Sequence, residues 1–131
     1  MTDLAQQDEE LCGQASKFIK LFYDAMDRKR EKTIHMYTED EPNVVWNGNN
    51  FTGSEGIGKF LANFPVTQHE IVSLDAQKIP NSVTGGPDLL VLLVAGSVTV
   101  HESIHAFTET FTLVMEEMNL KVKSQRFRYV D

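Results

Sequence analysis

Apolar residues recur at steps of three and four through the first part of the chain. Leu11, Ala15, Phe18, Phe22 and Met26 make one stripe, with Ile19 and Tyr23 beside it. This pattern predicts a long helix from about Asp3 to Asp27. The basic cluster Arg28-Lys29-Arg30, with Lys32 close behind, reads as a solvated helix end favoured by the helix dipole. Ile34 and Tyr37 suggest a second, short helix. Val44-Val45-Trp46 and Asn49-Asn50-Phe51 flank Asn47-Gly48, a dipeptide that tolerates positive φ at both positions, so this segment reads as a hairpin. Thr52-x-x-Glu55 has the form of a capping box. It opens a helix carrying Ile57, Phe60, Leu61 and Phe64 that Pro65 ends.

Past Pro65 the period changes from helical to two. Val72, Leu74 and Ala76 alternate with Ser73, Asp75 and Gln77. Pro80 to Pro87 is a loop by composition. Leu89–Val100 is a long strand. Phe107, Phe111, Leu113 and Met115 alternate with Thr108, Thr110 and Thr112, and Phe127 and Tyr129 with Arg126 and Arg128. Helices early and strands late imply an α+β domain, with three helices from the first half packed on one face of an antiparallel sheet. The other face is then expected to be polar. The Leu89–Val100 strand breaks that rule. If Leu90, Leu92, Val94 and Val98 face the helices, then Val91, Leu93 and Ala95 point outward. A central apolar stripe bordered by Asp75, Gln77, Thr110, Arg126 and Arg128 has the form of an interface core with a polar rim.

Length and charge narrow the partner. The chain has 131 residues, the size of one domain spanning residues 1–131. Nineteen acids against twelve Lys and Arg give a net charge of −7, which argues against direct nucleic-acid binding and against docking on anionic membranes. A single cysteine, Cys12, forms no internal disulfide and is simplest in a reducing compartment. The acidic N-terminus lacks the apolar core of a signal peptide, so the Asn50-Phe51-Thr52 glycosylation pattern is discounted.

Several features then fall in a recognisable order: the long helix, Val45-Trp46-Asn47-Gly48-Asn49, Phe51-x-Gly53, Asp75-Ala76-Gln77, Ala95-Gly96-Ser97-Val98, Phe107-x-x-x-Phe111 and Arg126-Phe127-Arg128. This ordered set resembles the nuclear transport factor 2-like family from about residue 10 to 130. The resemblance implies a strongly curved sheet wrapped by three helices into a cone, with dimerisation through the outer sheet face. In one branch of the family the chain is a non-enzymatic subunit. It heterodimerises with the related domain of a TAP-type messenger RNA export receptor, and the receptor carries the RNA and most contacts to nucleoporin Phe-Gly repeats. By that resemblance Arg128 pairs with an acid of the receptor, Trp46 matches a tryptophan near a Phe-Gly repeat site, and the protein shuttles between nucleus and cytoplasm. A second branch is a homodimer that imports Ran-GDP through acids in the loop that here reads His101-Glu102-Ser103. His101 and Ser103 replace two of those acids, which counts against Ran.

Enzyme readings are weaker. His101-Glu102-Ser103-Ile104-His105 matches H-E-x-x-H, but a zinc site needs that motif on a helix. In the extended chain expected here the two imidazoles stand about 13 Å apart. The segment is read as a hairpin connection, with no metal. The same cone houses isomerases and dehydratases, including one with a Tyr and protonated-Asp oxyanion hole. Tyr23, Tyr37 and Asp40 are the candidates for such a pocket. No cofactor is implied.

Overall fold

The computed structural model describes residues 4–131, with side chains from residue 9 onward. The first helix, α1 (Leu4–Arg28), follows the predicted stripe. Its expected start at Asp3 lies outside the described residues. A 3-10 helix (Arg30–Met36) follows, then β1 (Asn43–Trp46), β2 (Asn49–Thr52) and α2 (Gly53–Asn63). The second half is β3 (Thr67–Ile79), a single helical turn α3 (Asn81–Thr84) inside the expected loop, β4 (Leu89–Val100), β5 (Ser103–Glu116) and β6 (Asn119–Tyr129). The six strands form one sheet in the order β2-β1-β6-β5-β4-β3.

The expected antiparallel sheet needs one correction. β1 runs parallel to β6, with Val45 opposite Arg126 and Trp46 opposite Phe127. No short-range signal marks this pair, because the last strand is inserted beside the first hairpin from far along the chain. The Asn47-Gly48 turn forms as predicted, with φ of 46° and 86°. Asn47 adds a second tie, since its Oδ1 accepts the Tyr129 backbone N–H at 2.8 Å.

One layer of helices covers the concave side of the sheet. Ala15, Phe18, Ile19, Phe22, Tyr23 and Met26 of α1 are buried against Leu90, Leu92, Val94, Phe107, Phe111 and Leu113 of the central strands. The Phe22 ring meets that of Phe111 edge-on at 5.0 Å. At the other end of the core Trp46 stacks flat on Phe127 at 3.6 Å, and Phe60 of α2 and Phe64, the residue that caps its end, close over it.

Three local expectations change. First, Arg30 is not a solvated helix end. Its guanidinium donates to the carbonyls of Met26 (2.6 Å), Phe64 (3.2 Å) and Pro65 (2.9 Å) and lies over the Phe64 ring. It thereby ties the end of α1 to the end of α2, while Arg28 and Lys29 stay exposed. Second, the capping box does not close. Thr52 is the N-cap of α2 but makes no side-chain capping bond. Thr52 also ends β2, and its hydroxyl is taken by the Asn43 amide at 3.0 Å, while Glu55 pairs with Lys59 at 3.4 Å. Third, the alternation of β3 is interrupted by a bulge between Ile71 and Ser73. Ile71, Leu74 and Ala76 pack on the core, and Val72 is pushed into solvent. The bulge sits where Gly96 brings β4 against β3. A Cβ on Gly96 would lie 2.1 Å from the Glu70 carbonyl oxygen.

Candidate protein interface

The inward phase of β4 places Leu90, Leu92, Val94 and Val98 in the core, so Val91, Leu93 and Ala95 occupy the convex face. Strand register then lines up the neighbours. One row across the sheet reads Ser73, Ala95, Thr108, Arg128. The next reads Asp75, Leu93, Thr110, Arg126, and the third Gln77, Val91, Thr112, Ser124. All eight residues singled out for the dimer face therefore lie together on one surface: Val91, Leu93, Ala95, Asp75, Gln77, Thr110, Arg126 and Arg128. No helix covers it. Leu93, at its centre, is 50% exposed, a poor place for a leucine unless something covers it.

Charge on this face is segregated. Asp75 stands on β3, and Arg126 and Arg128 on β6. At about 4.8 Å per strand the three intervening steps separate Asp75 from Arg126 by about 14 Å. Among the described residues neither arginine nor Asp75 enters an ion pair within the chain. The threonines and serine between them offer hydroxyls but no competing charge. The arrangement can accept an apolar patch flanked by acids opposite β6 and a cation opposite β3.

The other candidates lie elsewhere. Trp46 is 7% exposed, with its ring inside the aromatic cluster. His101 occupies the β4–β5 turn with φ of 49°. His105, in β5, stacks on Tyr129 at 4.1 Å and points toward Asp131 at 3.4 Å. The H-E-x-x-H segment thus forms the expected hairpin connection, and among the described residues no group of three or more His, Cys, Asp and Glu gathers to hold a metal.

The oxyanion-hole set is not brought together. Asp40 is an exposed surface acid beside Lys123 at 3.9 Å. Tyr23 and Tyr37 are buried, but their hydroxyls are engaged in a polar chain. Tyr37 donates to the Gln125 amide oxygen, the Gln125 amide nitrogen donates to Glu109, and Tyr23 donates to the other Glu109 oxygen. Glu109 is 1% exposed. Burial pushes its carboxyl up to about 7, against the opposing pull of the hydrogen bonds from Tyr23 and Gln125. Burial and the nearby Glu109 also raise Tyr23 and Tyr37 well above the ordinary phenol range. This network escaped the sequence reading. Its one signal is phase: Glu109 falls in the inward register between Phe107 and Phe111.

A second, partly buried contact fixes α1 on the start of β3. Asp27 accepts from the Thr67 hydroxyl (2.7 Å), the His69 backbone N–H (2.8 Å) and His69 Nδ1 (2.6 Å). Burial raises the Asp27 carboxyl, but the hydrogen bonds from His69 and Thr67 outweigh it and hold the group below its ordinary value.

With this geometry in hand, comparison with known proteins gives consistent results. The Nuclear transport factor 2 (NTF2) domain profile matches residues 14–129. An NTF2-related export protein of Caenorhabditis elegans is 50% identical over 131 residues, covering 98% of this chain and 95% of that protein. Among solved structures, nuclear transport factor 2 from Cryptosporidium parvum superposes with a TM-score of 0.79 at 21% identity, covering 93% of this chain and 96% of that one. A chain of the C. albicans Mtr2-Mex67 M domain complex superposes at 0.73 and 13% identity, covering 92% of this chain and 96% of that one. Matching across nearly its whole length in sequence and in fold, this chain belongs to the nuclear transport factor 2 family.

Proposed function

We propose that this protein is a non-enzymatic adaptor subunit. It heterodimerises through its outer sheet face with the related domain of a TAP-type messenger RNA export receptor, and it stabilises that receptor for passage through the nuclear pore. The single observation that carries the reading is the uncovered convex face, with Leu93 and Val91 at its centre and, at its borders, Arg126, Arg128 and Asp75, which form no ion pair among the described residues. A relative 50% identical to the chain is named as an export protein, and a fold neighbour was solved as a complex of two proteins. Arg128 pairs with a receptor acid, RNA and most Phe-Gly repeat contacts belong to the receptor, and the complex shuttles between nucleus and cytoplasm.

One observation favours a second reading. Asp75 and Arg126 stand at opposite ends of the same cross-strand row, so a two-fold related copy could set each acid near the other's arginine. That is a homodimer, as in a Ran-GDP carrier.

Co-expression with the transport-factor-like domain of a TAP-type receptor, followed by light scattering, separates the two. The adaptor reading expects a 1:1 complex. Arg128→Glu then weakens it by about 2–5 kcal/mol, because like charges meet in a desolvated interface. A homodimer that ignores the receptor domain, or full affinity in Arg128→Glu, refutes the adaptor assignment.

A further inference from the structure

Strand β3 ends the sheet, so one side of its backbone has no neighbouring strand. It is 13 residues long, against four for β2 at the other edge. A long open edge can pair with another chain, and folded proteins normally blunt such edges with bulges, prolines, charges or covering elements. The first part of β3 is blunted in this way. Asp27 takes the outward His69 N–H at 2.8 Å, and the bulge between Ile71 and Ser73 breaks the regular spacing.

Ladder phase identifies what is left open. His69 lies opposite Val98 with its N–H turned away from β4, and antiparallel pairs alternate in this respect. The residues opposite Val94, Leu92 and Leu90 share that phase, so Leu74, Ala76 and Lys78 turn their N–H and C=O groups outward. Among the described residues no hydrogen bond reaches the outer backbone of these three. The stretch from residue 73 to 79 holds neither a proline nor a bulge, and the charge of its one lysine, Lys78, is met by Asp88 at 3.4 Å.

A groove of about 470 Å³ runs beside this edge, between α1 and β3. It follows α1 from Ser16 to Arg28, about 18 Å at about 1.5 Å per residue, and extends along β3 to Leu74. Val72, 78% exposed, and the half-buried Ile71 and Leu74 give it an apolar side. Its two acids are engaged. Asp24 faces Arg28 at 3.6 Å and Lys29 at 4.0 Å, and Asp27 is held by Thr67 and His69. Lys20 lines the same wall, is exposed, and enters no ion pair among the described residues. The charge left open beside the edge is therefore positive, although the whole chain carries −7.

We infer that the outer edge of β3 takes up an extended segment of a partner protein as an added strand, which pairs with Leu74, Ala76 and Lys78 and sets an Asp or Glu against Lys20. The backbone groups of the edge select an extended conformation, and the groove selects an acid. A second copy of this chain suits the edge less well, because two β3 edges brought together carry two α1 helices, each with an open Lys20, to one junction. The site is separate from Leu93 and Val91 and does not depend on the adaptor reading.

The test is to pan the full chain against a randomised linear-peptide display library, after removing every peptide that the Lys20→Glu chain also retains. The surviving peptides are expected to carry Asp or Glu and, by fluorescence anisotropy, to bind the native chain at least about tenfold more tightly than the Lys20→Glu chain. Amide hydrogen exchange in the complex is expected to slow at least about tenfold at Leu74, Ala76 and Lys78, and to hold its rate at Ser73, Asp75 and Gln77, whose N–H groups face β4. N-methylation along the peptide is expected to abolish binding at every second residue, since only alternate N–H groups face the edge. Three results overturn the proposal: no surviving peptide, slowed amides elsewhere than on the outer edge of β3, or an N-methyl scan without a period of two. A dimer of the free chain that protects the same three amides also overturns it, by assigning the edge to a second copy.

Discussion

Glu109 makes the stability of this protein depend on pH in a direction opposite to that of most carboxylates. Its carboxyl sits between Phe107 and Phe111 on the inward side of β5, 1% exposed, and burial pushes it from 4.5 to about 7. The unfolded chain releases this proton near pH 4.5, and the folded chain keeps it to about pH 7. Between those values the folded state binds more protons than the unfolded one, so stability falls as pH rises. The contribution is fully present below the unfolded value and is lost by the time the folded group has ionised. A displacement of about 2.5 pH units at 1.36 kcal/mol each corresponds to about 3 kcal/mol. Asp27 does not mask the effect. Its folded value lies below the ordinary carboxylate value of 3.8, so its stabilisation is complete above that pH and is lost only in stronger acid.

Urea denaturation followed by Trp46 fluorescence at pH 5, 6, 7 and 8 measures this directly. The unfolding free energy is expected to drop by about 2–3 kcal/mol from pH 5 to pH 8, because a small part of the contribution is already lost at pH 5. Glu109→Gln keeps the shape and supplies a permanent N–H donor, which a flipped Gln125 amide can accept. That variant is expected to match the native chain at pH 5 within about 1 kcal/mol, to exceed it at pH 8, and to lose most of the slope. A native profile that is flat or rises over this range, or a Glu109→Gln variant that keeps the native slope, refutes the assignment of the proton to Glu109.

Other perturbations probe other parts of the argument. Gly96→Ala places a methyl group 2.1 Å from the Glu70 carbonyl oxygen, so β3 and β4 must part at the bulge; a loss of about 1–3 kcal/mol in urea unfolding is expected. Phe127→Ala removes the flat partner of Trp46 and leaves a cavity in the aromatic cluster. It is expected to cost about 3–5 kcal/mol and to change the tryptophan emission of the folded chain. Leu93→Lys buries a charge at the centre of the proposed interface but faces water, opposite Asp75, in the free chain. Calorimetry is expected to show a nearly unchanged melting temperature, with loss of the receptor-domain complex.

What could be read from the sequence was local. The α1 stripe, the Asn47-Gly48 hairpin and the Pro65 stop each depend on residues within a few positions of one another, and each appears where its period or turn chemistry put it. The outer face was legible because strand alternation has a period of two and β4 is apolar on both faces. What escaped was non-local. The parallel β1–β6 pair joins residues about eighty positions apart. The Ile71–Ser73 bulge is set by the close approach of Gly96, and without it Val72, Leu74 and Ala76 share one face, as the pattern suggested. Arg30 looked solvated because its acceptors are backbone carbonyls of α2 and the segment after it, which carry no side-chain signature. Glu109 was visible in phase but not in meaning, since its partners Tyr23 and Gln125 come from α1 and β6.

Strand β5 shows why the interface and the core can be tested separately. Phe107, Glu109, Phe111 and Leu113 point into the cone, and Thr108, Thr110 and Thr112 point out of it. A side chain on the outer set has no contact with the relay on the inner set, because the backbone of the sheet lies between them. Replacing Thr110 with a bulkier residue therefore changes what a partner meets opposite Leu93 and leaves Glu109 and its hydrogen bonds in place. Replacing Glu109 does the reverse. If a Thr110→Trp chain loses the receptor domain while its pH profile of stability matches that of the native chain, the two faces act independently. If the pH profile moves as well, the outer face is coupled to the buried carboxyl, and the separation argued from the two-residue period is wrong.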